Sequence, residues 1–212
     1  MEIKTFYFNP IRECCYVVWD ESGECVFIDP GCNGEREFKR LRDFVAERGL
    51  KPVGILLTHG HFDHILGLED VSQTWGLDVW VSPDESGQIE RTASWCRELG
   101  LDFKPFTGVR HDIADGDTIT FGQSVLKVIS TPGHTEGSVC YYNEKDAVLF
   151  SGDTLFAGSI GRTDHPGGDY DRIIASIKDK LMTLDGEVTV LPGHGTATSI
   201  GYERSTNPFI NP

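Results

Sequence analysis

Apolar positions along the 212-residue chain repeat with a period of two in some stretches and about 3.6 in others, and the switches predict the elements. Strand-like runs open the chain at 3–8, 15–19 and 25–28, the last two separated by the turn Asp20-Glu21-Ser22-Gly23. Helical spacing follows, with Phe38, Leu41, Phe44 and Val45 on one face and Gly49 as the stop. A buried-type strand over 53–57 runs straight into Thr58-His59. Helical periods then cover 63–75, with Ile65, Leu68 and Trp75 aligned, and 84–99, with Ile89, Ala93 and Cys96 inward; a strand at 78–81 lies between them.

The second half begins with strands at 117–121, 125–129, 138–142 and 147–150, joined by turns containing Gly and Asn. Asp169 is placed to cap a helix whose apolar face is Tyr170, Ile173, Ile174, Ile177, Leu181 and Leu184. A strand at 187–191 closes the pattern. Strand clusters with helices between and after them predict two sheets with helices packed outside, in an α/β or α+β class.

Length is compatible with one domain spanning 1–212, since a chain of this size buries about 70% of its extended surface. With 39% hydrophobic and 25% charged residues, the composition is that of a soluble globular protein. The balance of 19 Lys+Arg against 33 Asp+Glu gives a net charge of −14, which argues against a nucleic-acid partner. No apolar run reaches the ~20 residues of a spanning helix, and Met1-Glu2-Ile3-Lys4 lacks the plan of a secretory leader. Cys14, Cys15, Cys25, Cys32, Cys96 and Cys140 form no CxxC pair, so reduced thiols in a cytoplasmic protein are expected. No extra apolar element asks for a partner, and a monomer is expected.

Three apolar strands end in a small turn and a histidine: His59 and His61 after 55–57, His134 after Pro132-Gly133, and His194 after Pro192-Gly193. A fourth ends in Asp153. Ligands gather at the carboxyl ends of strands in α/β sheets, so this is a site layout. The hexapeptide His59-Gly60-His61-Phe62-Asp63-His64 concentrates four donors, and burying them with no cation would be costly. With His134, Asp153 and His194 they make seven N/O ligands, enough for two divalent ions; the absence of Cys suits zinc, iron or manganese alike. His111, in the polar run Arg110-His111-Asp112, fits an ordinary surface histidine.

His-x-His-x-Asp-His with the distant His134, Asp153 and His194 resembles the metallo-β-lactamase superfamily. The stretches THGHFDHILG (58–67), TPGHTEG (131–137), SGDTLF (151–156), GRTD (161–164) and LPGHG (191–195) are similar to its glyoxalase II (hydroxyacylglutathione hydrolase) branch, in the short form without the helical C-terminal domain. The resemblance spans nearly the whole chain and implies a four-layer αββα sandwich with the site at the edge where the sheets meet. It further implies His59, His61 and His134 on a first metal, Asp63, His64 and His194 on a second, and Asp153 bridging, most simply as two zinc ions. The implied reaction is hydrolysis of a small acylthiol such as S-D-lactoylglutathione by a metal-bridging hydroxide, with Asp63 catalytic as well as ligating.

Arg162 matches the position where longer members place a Lys against the glutathione carboxylate; it could equally pair with Asp164. The chain ends before the domain with which long members grip glutathione, which leaves the thiol carrier open. Asp164, His165 and Tyr170 are weaker candidates for the site mouth. Asp29 either orients a ligand imidazole or only stabilises the turn Asp29-Pro30-Gly31. Two other readings remain: a persulfide dioxygenase of the same fold holding one Fe²⁺ on His59, His134 and Asp153, and a metal-binding sensor without catalysis. Lactamase or phosphodiester-cleaving activity on this fold is a further possibility, though His64 with His194 departs from the Cys-containing lactamase site.

Overall fold

The computed structural model of the chain describes residues 1–101 and 103–211. The first half forms β1 (Glu2–Phe8), β2 (Glu13–Trp19), β3 (Glu24–Ile28), α1 (Gly34–Arg48), β4 (Lys51–Leu56), α2 (Phe62–Ile65), α3 (Leu68–Trp75), β5 (Val79–Val81), α4 (Ser86–Glu98) and β6 (Arg110–Asp112). Its strands make one six-stranded sheet in sequential order, antiparallel from β1 to β3 and parallel from β3 to β6. The second half forms β7 (Thr118–Phe121), β8 (Ser124–Ser130), β9 (Val139–Asn143), β10 (Val148–Gly152), β11 (Leu155–Phe156), β12 (Ser159–Ile160), α5 (Tyr170–Asp179), β13 (Thr189–Pro192), β14 (Thr198–Ser199) and α6 (Ile200–Thr206). Its main sheet has the order β14-β13-β10-β9-β8-β7, and β11 pairs with β12 apart from it.

Alternation along the strands turns these sheets into layers. On β2, Cys15, Val17 and Trp19 join one hydrophobic cluster with α1 and α3, while Cys14, Tyr16 and Val18 join another with the second sheet. On β8 and β9, Val128 and Tyr141 face that shared cluster, and Ile129 and Cys140 face a third one against Ile173 and Ile177 of α5. Successive side chains on a strand point to opposite faces, so three clusters separate four layers: helices, sheet, sheet, helices. This is the αββα sandwich. All six cysteines are buried and free, Cys14 and Cys15 on opposite faces. No helix among the described residues is long and apolar enough to cross a membrane.

Several boundaries differ from the sequence reading. Helix 63–75 is two helices: the backbone turns at Gly67, whose N–H donates to Pro30 O at 2.9 Å and where a side chain would overlap Cys32 Sγ. The segment after β3 therefore packs into the break. Helix 84–99 begins with a tight turn over Pro83–Glu85 before α4, and Thr92, rather than Ala93, is fully buried. Asp169 caps α5 by accepting from Arg172 N, but Tyr170 is 51% exposed and lies off its apolar face. The strands β6, β11, β12 and β14 and the helix α6 have no counterpart in the sequence pattern; most are two or three residues long, too short to show a period.

Candidate metal centre

Strand direction brings the donors together. In the second sheet β9 runs antiparallel to both β8 and β10, and β13 runs parallel to β10, so β8, β10 and β13 all end at the same edge. Those ends carry His134, Asp153 and His194. From the other sheet β4 ends at the same edge and leads through His59 and His61 into the first turn of α2, which holds Asp63 and His64. Gly193 has to be glycine here, because a Cβ would overlap the Asp153 carboxylate and press on His64.

All seven residues predicted as ligands converge. His59, His61 and His134 place donor atoms within 4.8 Å of one another, and so do Asp63, His64 and His194. His134 Nε2 and His61 Nδ1 approach to 2.8 Å. Asp63 Oδ2 lies 3.1 Å from His194 Nε2 and 3.3 Å from His64 Nε2. Asp153 stands between the sets: Oδ2 is 3.6 Å from both His134 Nε2 and His194 Nε2, and Oδ1 is 3.5 Å from His64 Nε2.

Partners behind the rings fix which nitrogen faces inward. Thr58 gives its hydroxyl proton to Asp29 Oδ2 (2.5 Å), so the Thr58 oxygen accepts from His59 Nδ1–H at 3.0 Å. His134 Nδ1–H donates to the carbonyl of Arg162 at 2.8 Å, and His64 Nδ1–H to Asp29 Oδ2 at 3.0 Å. These assignments leave the Nε2 atoms of three imidazoles aimed at the centre. His59 Nε2, His64 Nε2 and Asp153 Oδ1 are buried with no hydrogen-bond partner. Orphaned polar atoms of this kind are costly unless something satisfies them, and a set of N and O ligands fits divalent ions.

The two sets differ electrostatically. Burial, reinforced by the surrounding imidazoles, holds His59 far below the ordinary histidine value. Burial and then His134 push His61 down to about 2, and burial lowers His134 despite Asp153. This set is neutral and ready to ligate. For His64, burial pulls the pKa down, but Asp63, Asp153 and Asp29 outweigh it and carry the ring up to about 10. His194 is raised as well: burial opposes, and the hydrogen bond to Asp63 and the charge of Asp153 prevail. Burial would raise Asp63, but His64 and His194 hold it down to about 2. The proton on His64 supplies positive charge to the carboxylates of this second set.

Residues 13–194 match the family model of the metallo-β-lactamase superfamily. The chain belongs to this superfamily. It is 33% identical, over 100% of its own length and 99% of the relative's, to hydroxyacylglutathione hydrolase GloC of Haemophilus influenzae. Among solved structures, the B3 metallo-β-lactamase BLEG-1 superposes with a TM-score of 0.88 at 38% identity, covering 100% of both chains. TTHA1623 in a di-iron-bound form superposes at 0.87 with 36% identity, covering 97% of this chain and 99% of that one.

Within this superfamily fold the outer residues fall into place. Asp29 orients imidazoles: its carboxylate accepts from Thr58 N (2.7 Å), Thr58 Oγ1 and His64. Arg162 adjoins the cluster through its carbonyl on His134, but its side chain makes an exposed two-pronged pair with Asp164, at 2.7 and 3.1 Å. The His165 ring packs edge-on against His61 and His134, with centroids 4.8 and 4.9 Å away, whereas Asp164 and Tyr170 lie exposed outside the cluster. His111 is a surface residue at the sheet edge, bonded to Asp78 at 2.7 Å and stacked on Trp80. Sequence reasoning missed the Arg162 carbonyl, because backbone groups leave no trace in residue type. It also missed Trp95, stacked 6.0 Å from His61, and Glu85, whose place in the first turn of a helix suggests only a dipole partner.

Proposed function

We propose that the protein is a metal-dependent thioester hydrolase acting on S-D-lactoylglutathione or a related acylthiol, with two divalent ions, zinc in the simplest case. The observation that carries this reading is the pair of three-donor sets with Asp153 between them, the layout a two-ion site requires. GloC, a hydroxyacylglutathione hydrolase similar to this chain from end to end, supports the substrate class. His59, His61 and His134 would hold one ion and Asp63, His64 and His194 the other, with Asp153 shared. When bound, the ions supply Lewis acidity towards the carbonyl and a water activated near neutral pH.

The chain's own residues do the rest. Asp63 stays ionised at the centre, so it can ligate and also orient a water. Asp29, Thr58 and the Arg162 carbonyl keep three rings in one orientation and spare the site that reorganisation during turnover. Arg162 can turn from Asp164 to the carboxylate of an acidic thiol carrier, since an exposed pair is worth little to stability. We extend the reading to a single-domain, monomeric, cytoplasmic protein with reduced thiols and no nucleic-acid or membrane partner.

Similarity to BLEG-1 favours a second substrate class, the β-lactams, whose opening also proceeds by attack on an acyl carbon. The deciding experiment follows thioester loss from S-D-lactoylglutathione under nitrogen, with a cephalosporin in parallel and metal content quantified. Rapid thioester loss without oxygen, abolished by chelator and restored by metal, is the expected result. Lactam turnover alone would transfer the assignment to the second class. Inertness toward both, with one iron per chain and oxygen uptake on a persulfide, would replace hydrolysis with dioxygenase chemistry; a spectral response to oxygen without turnover would mean a sensor.

A further inference from the structure

The three imidazoles of the first set hang on two loops from different sheets. His59 and His61 flank Gly60 after β4; His134 lies in the 131–138 loop between β8 and β9. One level beneath the site the sheets are joined through Val139 N to Thr58 O (2.9 Å) and Tyr141 Oη to Leu57 O (2.7 Å). At the level of the ligands His61 and His134 touch each other at 2.8 Å, and one further side chain joins the loops that carry them.

Glu85 comes from neither loop. It ends the tight turn before α4, is fully buried, and divides its two oxygens between the loops. Oε2 accepts from Gly60 N at 2.6 Å. Oε1 accepts from Thr135 Oγ1 at 2.5 Å and from Gly137 N at 2.9 Å. Thr92 of α4 reinforces the first side by donating to Gly60 O at 3.0 Å. The loops are shaped for this: a Cβ on Gly60 would come within 3.1 Å of Oε2, and one on Gly137 within 2.9 Å of Oε1. Every group facing the carboxylate is a donor, so only a carboxylate, which accepts at both ends, satisfies both loops. Glutamine has the same shape but would turn an NH₂ against one of them. A buried acid is a costly way to fill space, whereas one that locks two loops has a use for its second oxygen.

We propose that Glu85 is a positioning residue that fixes the spacing between the His59/His61 pair and His134, and so sets the metal affinity of the first site. The proposal rests on the two-metal reading. None of the hydrogen bonds Glu85 makes reaches Asp63, His64 or His194, so the second site should not depend on it. Outer partners of metal ligands typically change affinity by about 10–100-fold.

The test is a zinc titration of chelator-treated wild type, Glu85→Gln and Thr135→Val, read by NMR of the histidine rings. In Glu85→Gln the signals of His59, His61 and His134 should need about 10–100-fold more zinc than in wild type, while those of His64 and His194 respond at wild-type concentrations. Thr135→Val, which removes one of the three donors, should shift the first set in the same direction by less; it also covers the case in which Glu85→Gln folds poorly. A first set that fills normally in both variants overturns the proposal, as does an equal loss at both sets. Amide spectra of the metal-free protein separate this inference from the metal reading. Gly60 and Gly137 N–H should both lie downfield and slow to exchange, and at least one should lose that character in Glu85→Gln. Amides indifferent to the substitution refute the clamp even where wild type binds two ions. Zinc that moves no ring signal in wild type refutes the metal reading and the proposal with it.

Discussion

His64 shows at the level of one residue how the site is prepared for cations. Three carboxylates face it, and in the metal-free protein they keep its ring protonated up to about pH 10. His59, His61 and His134, buried among one another, are neutral at pH 7. A metal ligand must give up its proton, so filling the second set at neutral pH expels the proton of His64, and filling the first set expels none. The sign follows: acid strengthens the competing proton and weakens the second ion, and the competition ends only as pH rises through about 10. Calorimetric titration with zinc in buffers of different ionisation enthalpy should therefore show release of about one proton for filling the second set and about none for filling the first. A heat that is independent of buffer throughout would contradict this charge assignment.

Individual elements explain what the sequence could and could not reveal. The strand into Thr58-His59 was legible because an unbroken apolar run meets a cluster of donors that has no other use. Gly49 and Asp169 were legible because helix ends obey local chemistry: Gly49 adopts the left-handed conformation, and the Asp169 side chain caps α5. The break at Gly67 was not, since its cause is Cys32, a contact made only after folding. Glu85 was hidden for the same reason, its partners lying 25, 50 and 52 residues away. Asp20 is a similar case at the far end of the sheets. The sequence marks it as part of the turn between β2 and β3, but it also accepts from Gln123 N (2.6 Å) and Ser124 Oγ (2.8 Å) in the β7–β8 turn, tying the two sheets together.

That tie has a pH signature. A small burial cost is outweighed by hydrogen bonds from Ser22, Ser124 and Gln123, which hold the Asp20 carboxyl well below the usual carboxylate range. A depressed acid contributes stability above its unfolded value of about 3.9 and loses it as pH falls towards the folded value. Asp20→Asn should therefore cost on the order of 1 kcal/mol at pH 7, measured by denaturant unfolding. The gap to wild type should stay constant down to about pH 5 and narrow in stronger acid. A gap that persists unchanged at pH 2, or none at pH 7, would contradict the staple.

At the scale of the whole molecule, two sheets of different connectivity bring four strand ends to one edge, and the sandwich exists to hold those ends in register. The layers follow from alternation that is visible in the sequence, whereas the match of the edges depends on buried links between sheets, such as Tyr16 Oη to Pro192 O at 2.6 Å. Membership of the metallo-β-lactamase superfamily and end-to-end similarity to GloC agree with that architecture. Central to the proposed thioester hydrolase is a pair of ions sharing Asp153. A crystal structure of the metal-loaded protein, with anomalous scattering at the edge of the bound metal, tests this most directly. The account predicts two peaks about 3.5–4 Å apart, one on His59, His61 and His134, the other on Asp63, His64 and His194, with Asp153 touching both. A single peak at full loading, with Asp63 and His194 left as an ion pair, would contradict it.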